Sequence, residues 1–540
     1  MIPCSTLSTN ITKAIEKYSE ALSLAAQIDK EHRVFSYLWS ISFGEFMKNN
    51  LSLYNQLQSG YTGFISAFFQ GPDLFSNFAK ITEKNLEYYK NFCTSNSHSA
   101  DLSGALEFYN KVIIDLTSPE KLASLYYKIA ELTISSNGQN ILDGAENFLQ
   151  DAKKSLSKKL FTISTVQDDL FEVGVNLAIT KGKVVFQNEL LQIIQYEPAT
   201  DEVKEIPILF IPAWINKFYI LDLQEKNSMV RWLTQKGYRV FVISWINPDA
   251  TYKNTGFEDY MIKGAIAAIN AVKKIASSTT VSCVGYCMGG TLLSATLSYL
   301  AKIKDKSVSS ATFLCSLLDF EEVGRIAIFI NENQVSFIEK IMERDGYFDG
   351  SYIASVFSLL RPNDMMWEYF VNNYLMGNQP SKLDLLFWNN DNIRIPAKMH
   401  SYCLRNMYMK NLLSKPNGLS INGKGIDFND IKIPVYIFAA KEDHICPWKS
   451  VFKAAPLFNG ERRLVLGGSG HIAGIINHPD RNKYWYSILE SDLDENSNKH
   501  EGSWWLDWSS WLSTKLGKNI EAKGVVDAGL GEAPGSYVKM

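Results

Sequence analysis

Over residues 1 to about 170, apolar positions recur at spacings of three and four, as in AIEKYSEALSLAAQI, with few β-branched runs. That period predicts helices. Glycine is sparse there, and GPDLF at 71–75 marks a break between helices. The stretch 51–92 interleaves aromatic residues from Tyr54 to Phe92. Such a pattern fills a helical core as readily as it makes a sticky face for a lipid-like or polymeric partner. Beyond 170 the period shortens. KVVFQNELLQIIQYEP predicts two short strands, and IPILFIPAWI (206–215), YRVFVISWI (238–246), TVSCVGYC (280–287), SATFLCSLLDF (310–320), IPVYIFAAKED (433–443) and RRLVLGGSGHI (462–472) predict more. Several are nearly continuous apolar runs, as in strands buried on both faces of a parallel sheet. Helix-like stretches such as DYMIKGAIAAINAVKKIA (259–276) separate them. The alternation predicts an α/β fold with a mostly parallel sheet.

One interval breaks the rhythm. Roughly 110 residues, rich in aromatics, lie between the strand ending near 320 and the one starting near 433, far more than a crossover needs. The interval reads as an inserted cap at about 321–430. The expected layout is a helical domain over 1–170 and an α/β domain over 171–540 that carries the cap. The closing AKGVVDAGLGEAPGSYVKM, small and Gly-rich, reads as a surface tail.

Composition narrows the function classes. A chain of 540 residues with 46% hydrophobic and 21% charged positions can bury more than one core. A net charge of −3 gives no reason to expect nucleic acid or an anionic membrane as the main partner. The seven cysteines are scattered, odd in number and without a CxxC pair. That argues against a disulfide framework or a zinc site and for a reducing cytoplasm. The N-terminus lacks a basic start followed by an apolar core, so no signal peptide is expected, and no apolar run approaches the ~18 residues of a membrane span. Gly468, Gly470 and Gly474 fail the GxGxxG spacing and follow the last strand rather than the first. With no P-loop and no HExxH, neither a nucleotide cofactor nor a metal is expected.

The sharpest signal is VSCVGYCMGGTLLSATLSYL (281–300). An apolar strand runs into Gly-x-Cys-x-Gly and then into a helix, the layout of a nucleophile elbow. Gly285 and Gly289 flank Cys287 where side chains would strike the neighbouring strand and helix. At this composition chance supplies about 0.03 such matches per chain. A helix N-terminus favours the thiolate, and the N–H of Met288 is placed to donate to an oxyanion. Cys283, inside the strand, reads as a buried inert thiol.

An elbow nucleophile is followed in the chain by an acid and then a histidine. Of seven histidines, His471, His478 and His500 lie toward the end of the chain past the last predicted strand's apolar run, and His500 falls in a charged stretch. His471 sits in GGSGHIAG, whose glycines let the backbone approach the elbow, and it is the expected base. VYIFAAKEDHICPW offers Glu442 and Asp443 at the preceding strand end, and Asp443, at the turn, is the expected acid. The second oxyanion donor is expected after the first long strand, in PAWINKFYILDL, at the N–H of Trp214 or Ile215.

With these residues in place, the chain resembles the class I polyhydroxyalkanoate synthases. The similarity rests on KGKVVFQNELLQIIQY, INKFYILDLQEKNSMVRWL, FVISWINPD, GYCMGGTLL, RPNDMMWEYFVNNYLMGN, DLLFWNND, LRNMYMKN, EDHICPW, GGSGHIAGIIN and GSWWLDW, spanning about 180–515. The N-terminal 170 residues carry no matching motif. The resemblance implies an α/β-hydrolase catalytic domain with a cap behind a helical N-terminal domain. It implies a triad of Cys287, Asp443 and His471 that polymerises (R)-3-hydroxyacyl-CoA, with short units such as 3-hydroxybutyryl-CoA favoured, into polyester with release of CoA. It also implies a homodimer, association with cytoplasmic polyester granules, and Arg361, Asn411 and Trp388 near the substrate or CoA. The chain departs from the pattern at Met288, at Ala213-Trp214 and at His478-Pro479. Two rivals remain: a Cys-triad hydrolase that gives free hydroxy acid, and a non-catalytic granule coat that releases no CoA.

Overall fold

The computed structural model describes residues 4–31, 119–158, 162–360, 367–490, 493–495 and 498–540. The aromatic stretch 51–92 and Arg361 lie outside them. The chain forms two compact units, one of 1–167 with 358–382 and one of 168–357 with 383–540.

In the first unit the three-four spacing becomes helices α1 (Cys4–Glu31), α2 (Pro119–Ser135) and α3 (Gln139–Lys158). Ala14, Tyr18 and Ala21 of α1 share a core with Ala145, Phe148 and Ala152 of α3. Phe370, Tyr374 and Leu375, from the middle of the expected cap, complete that core. The Tyr374 hydroxyl donates to buried Asp151 at 2.6 Å, and the same carboxylate accepts the Ser164 N–H at 2.9 Å. Trp367 stacks on Phe370 with ring centroids 5.5 Å apart.

The second unit is built on one ten-stranded sheet. Its strands are β1 (Gly182–Gln187), β2 (Leu191–Tyr196), β3 (Ile208–Ile211), β4 (Val240–Trp245), β5 (Val281–Tyr286), β6 (Val308–Leu314), β7 (Val435–Ala440), β8 (Arg462–Gly467), β9 (Trp485–Leu489) and β10 (Lys499–Glu501). They lie in the order β1-β2-β4-β3-β5-β6-β7-β8-β9-β10. The centre, β4 through β8, is parallel, and the pairs at both margins are antiparallel. Every residue of β3, β4, β5 and β7 is buried, which is why these strands read as unbroken apolar runs. The helix after β5, α4 (Met288–Lys302), is buried on all sides from Met288 to Leu300. The order reverses around β3: β4 lies on one flank and β5 on the other. In such sheets the crevice beyond the carboxyl ends of the strands at the switch point is where ligands bind. Pro212 follows β3 there, and Cys287 follows β5.

The expected surface tail lies mostly exposed over 521–533, but it is fastened to the sheet. β1 is an edge strand with unpaired backbone groups. The Val184 N–H bonds to the Gly531 carbonyl at 2.9 Å, and the Gln192 side chain accepts from the Ser536 and Tyr537 amides. Tyr537 and Val538 are buried. Among the described residues, no helix is long and apolar enough to cross a membrane.

Candidate active site

Cys287 stands between β5 and α4 with φ 53° and ψ −126°. A non-glycine residue takes such a backbone only when its surroundings force it. Its N–H donates to the Leu314 carbonyl of β6 at 2.9 Å, and its carbonyl accepts the Gly290 N–H at 2.9 Å, which starts the helix. The flanking glycines make the turn fit. A Cβ on Gly289 would lie 2.0 Å from the Ile211 carbonyl oxygen, and one on Gly285 would lie 2.4 Å from the Gly290 Cα. The elbow is thus pressed against the end of β3 at Ile211 and Pro212, the residues that lead into the turn of Trp214 and Ile215.

His471 arrives from the loop after β8. Its Nδ1 lies 2.6 Å from Oδ2 of Asp443. An ionised carboxylate only accepts, so Nδ1 carries the proton and Nε2 is left for the sulfur. Asp443 is fixed in turn, its Oδ1 accepting the Ile445 and Cys446 N–H groups at 2.8 Å each. Its neighbour Glu442 is exposed. The imidazole stacks on Tyr286, the residue before the nucleophile, with centroids 5.6 Å apart. Two tryptophans of the GSWWLDW segment brace the loop: the Trp504 indole donates to the Gly474 carbonyl and that of Trp505 to Ile475, both at 2.8 Å. Of the other described histidines, His400 stacks on Phe348, His478 accepts the Asp480 N–H, His500 stacks on Tyr486, and His444 follows Asp443 in the turn.

A residue that sequence reading passed over completes the cluster. The sulfurs of Cys287 and Cys446 and a ring nitrogen of His471 all lie within 4.8 Å of one another, and all three residues are buried. This donor set would suit a thiophilic cation, although it comes from three distant segments and no metal-ligand spacing announces it. Its electrostatics favour a thiolate at one sulfur. A hydrogen bond from the Cys446 thiol lowers the Cys287 pKa; burial opposes it; the charge and hydrogen bond of His471 and the Met288 N–H reinforce it. Cys446 is pushed well up by that same hydrogen bond, by burial and by the neighbouring negative charge. Burial alone would push His471 down, but the Asp443 carboxylate and the Cys287 thiolate outweigh it and hold the imidazole well above its ordinary value. These directions favour a thiolate paired with an imidazolium.

The pH dependence follows from these signs. A depressed thiol pKa leaves the thiolate in place through neutrality, and it is lost only as the pH falls toward about 5. Alkylation of Cys287 by iodoacetamide is expected to hold its rate from alkaline pH down past neutrality. An ordinary thiol would lose tenfold per unit below about 8.5. A rate that halves near that value would contradict the ion pair.

The remaining expected site residues are less central. Ile215 lies half-buried in the turn after β3. Trp388 is buried, and its indole donates to the Lys217 carbonyl at 2.7 Å, tying the helix Asp384–Asn390 to the loop after β3. Asn411 spends its amide on the loop after β6, accepting the Phe320 N–H at 2.8 Å and donating to Asp319 at 3.2 Å.

Comparison with known proteins agrees with this architecture. Residues 206–477 match the α/β hydrolase fold family, and residues 69–233 match the family described as poly-beta-hydroxybutyrate polymerase (PhaC) N-terminus. The second match reaches into the helical region, where sequence reading found no motif. The poly(3-hydroxyalkanoate) polymerase subunit PhaC of Rhizobium etli is 40% identical over 441 residues, covering 80% of this chain and 69% of that protein. Its counterpart in Rhizobium meliloti is 38% identical over 80% of this chain and 72% of that one. The Cupriavidus necator subunit is 37% identical over 79% and 74%.

Proposed function

Because this chain belongs to the poly(3-hydroxyalkanoate) polymerases, acyltransferases of the α/β-hydrolase fold, we propose that it uses (R)-3-hydroxyacyl-CoA, 3-hydroxybutyryl-CoA foremost, through an acyl thioester on Cys287. The observation that carries the reading is the sulfur on a strained elbow within reach of an imidazole that Asp443 orients. Cys287 attacks the thioester carbonyl, the N–H groups of Met288 and Ile215 receive the oxyanion, and CoA leaves as the thiol with the proton from His471. One thioester is exchanged for another, so the acyl group keeps its activation. A serine ester would hold no more energy than the product. The 3-hydroxyl of another unit then attacks, with His471 as base and Asp443 orienting it, and the polyester grows by one unit.

The acyl-enzyme must meet an alcohol before it meets water. In this reading the aromatic segment between β6 and β7 shields it. Trp388 and Asn411 serve the substrate path through the loops that they brace, and Arg361 serves the CoA. The chain works as a homodimer at the surface of cytoplasmic polyester granules, with residues 1–170 mediating those associations.

The test is purified protein with (R)-3-hydroxybutyryl-CoA, following thiol release and identifying the product by mass. Polymer with CoA release, lost in Cys287→Ala, is the expected result. Free 3-hydroxybutyrate would move the chain to the hydrolase rival, and CoA release by the alanine variant would remove Cys287 from the chemistry.

A further inference from the structure

Cys446 has no part in the reaction above, yet it sits against the nucleophile. It follows Asp443 by three residues, and its N–H rests on the same carboxylate that orients His471. The groups that fix the imidazole therefore also fix a second thiol, within 4.8 Å of the Cys287 sulfur. Both cysteines are unbonded, at 8% and 3% exposure. We infer that Cys446 is the resolving thiol of Cys287, so that a peroxide converts the active site reversibly into a Cys287–Cys446 disulfide. This rests on the reading of Cys287 as nucleophile.

The chemistry balances without further reagents. The Cys287 thiolate attacks one oxygen of hydrogen peroxide, the O–O bond breaks, and Cys287 sulfenic acid and hydroxide form. The Cys446 sulfur then attacks the sulfenic sulfur, its proton leaves with the displaced hydroxyl as water, and the S–S bond closes. Two electrons from the two sulfurs reduce one peroxide. The asymmetry of the pair sets the order: the sulfur that is already a thiolate reacts first, and the protonated neighbour waits. A path that admits an acyl-CoA to Cys287 admits peroxide. Without a neighbour, the sulfenic acid would be oxidised further to the sulfinic acid, which ordinary dithiols do not reverse. Cys446 lies in the turn after β7 rather than inside a strand, so the last approach of the sulfurs breaks no sheet pairing.

A third thiol sets the rival. Cys315, at the end of β6, lies within 4.8 Å of both Asp443 and His471. Its N–H is held by the Phe438 carbonyl at 2.8 Å.

The experiment treats the reduced full-length chain with a few equivalents of hydrogen peroxide in the presence of a chelator. It reads CoA release before and after dithiothreitol, and maps the peptides by mass without reduction. The parent is expected to lose at least tenfold in rate, to show a peptide joining 287 to 446, and to regain most of its activity with dithiothreitol. Cys446→Val and Cys446→Ser, each compared with its own untreated rate, should fail to recover and should carry two added oxygens at Cys287. Cys315→Ala should still form the 287–446 peptide. Sulfinic Cys287 in the parent without a cross-link, or a cross-link to Cys315, would overturn the proposal. The cross-link is read by mass and needs no turnover, so a Cys287→Ala variant that still released CoA would defeat the catalytic reading and leave this one standing.

Discussion

His471→Ala is expected to lower polymer formation by about a million-fold, the scale for removing the base of such a triad. In the proposed reaction the histidine has three tasks. It stabilises the Cys287 thiolate, delivers a proton to the leaving CoA, and takes the proton of the incoming 3-hydroxyl. The three differ in how far pH can replace them. Raising the pH restores a thiolate without help, and CoA is itself a thiol that leaves tolerably as an anion. An alcohol stays protonated at any pH that the protein survives. The variant should therefore regain a burst of about one CoA per Cys287 at alkaline pH, while chain growth stays at background. A single-turnover measurement separates the two steps. Polymer formation within tenfold of the parent would exclude His471 as the base for the hydroxyl.

The division of labour also shows what the sequence could disclose. The elbow was legible because its demands are local. A strand buried on both faces reads as an apolar run, and the glycines around Cys287 answer to backbone within a few residues of the turn or on the adjacent strand. His471 and Asp443 were legible by elimination, since few histidines follow the last parallel strand. Cys446 was not, because its significance is a distance to residues about 160 and 25 positions away, and no period encodes that. The same holds for Phe370, Tyr374 and Leu375. Their spacing announces a buried face but not that the helices near the N-terminus cover it. The far margin of the sheet, β9 and β10, was invisible for a different reason, whereas β1 and β2 at the other margin were predicted. Lys499–Glu501 is exposed at every position, so no apolar signal marks β10. The closing residues looked like a tail because glycine-rich segments usually are; here they bond to the exposed edge of β1, which a reading of the segment alone does not consider. Trp504 and Trp505 were conspicuous as aromatics, but what they brace, the carbonyls of the His471 loop, is again a matter of tertiary placement.

Gly289→Ala and Gly290→Ala are expected to fail in different ways, though they differ by one position and one methyl group each. At Gly289 the new Cβ would stand 2.0 Å from the Ile211 carbonyl oxygen and 2.7 Å from the Pro212 carbonyl carbon. Both are backbone, so the elbow and the end of β3 must separate. Overpacking of this kind costs about 3 kcal/mol or more, and a shift of about 1 Å at the reacting centre costs about a hundredfold in rate. The loss in kcat should therefore exceed what the unfolded fraction explains, because the displaced turn carries the proposed second oxyanion donor. At Gly290 the obstruction is a side chain: Ser316 Oγ at 2.0 Å and its Cβ at 2.6 Å, with backbone no nearer than the Gly285 oxygen at 3.3 Å. Deleting that side chain should clear the space. Gly290→Ala combined with Ser316→Gly is expected to recover most of the stability and rate that Gly290→Ala loses, whereas no side-chain deletion clears the backbone contacts at Gly289. Thermal unfolding and single-turnover CoA release on the two singles and the double decide it. If Gly289→Ala turns over within threefold of the parent, the contact between the elbow and β3 is not what holds Cys287 in its strained conformation. If the Gly290 double variant shows no recovery, Ser316 is not the obstruction, and the helix must enter the sheet along another line.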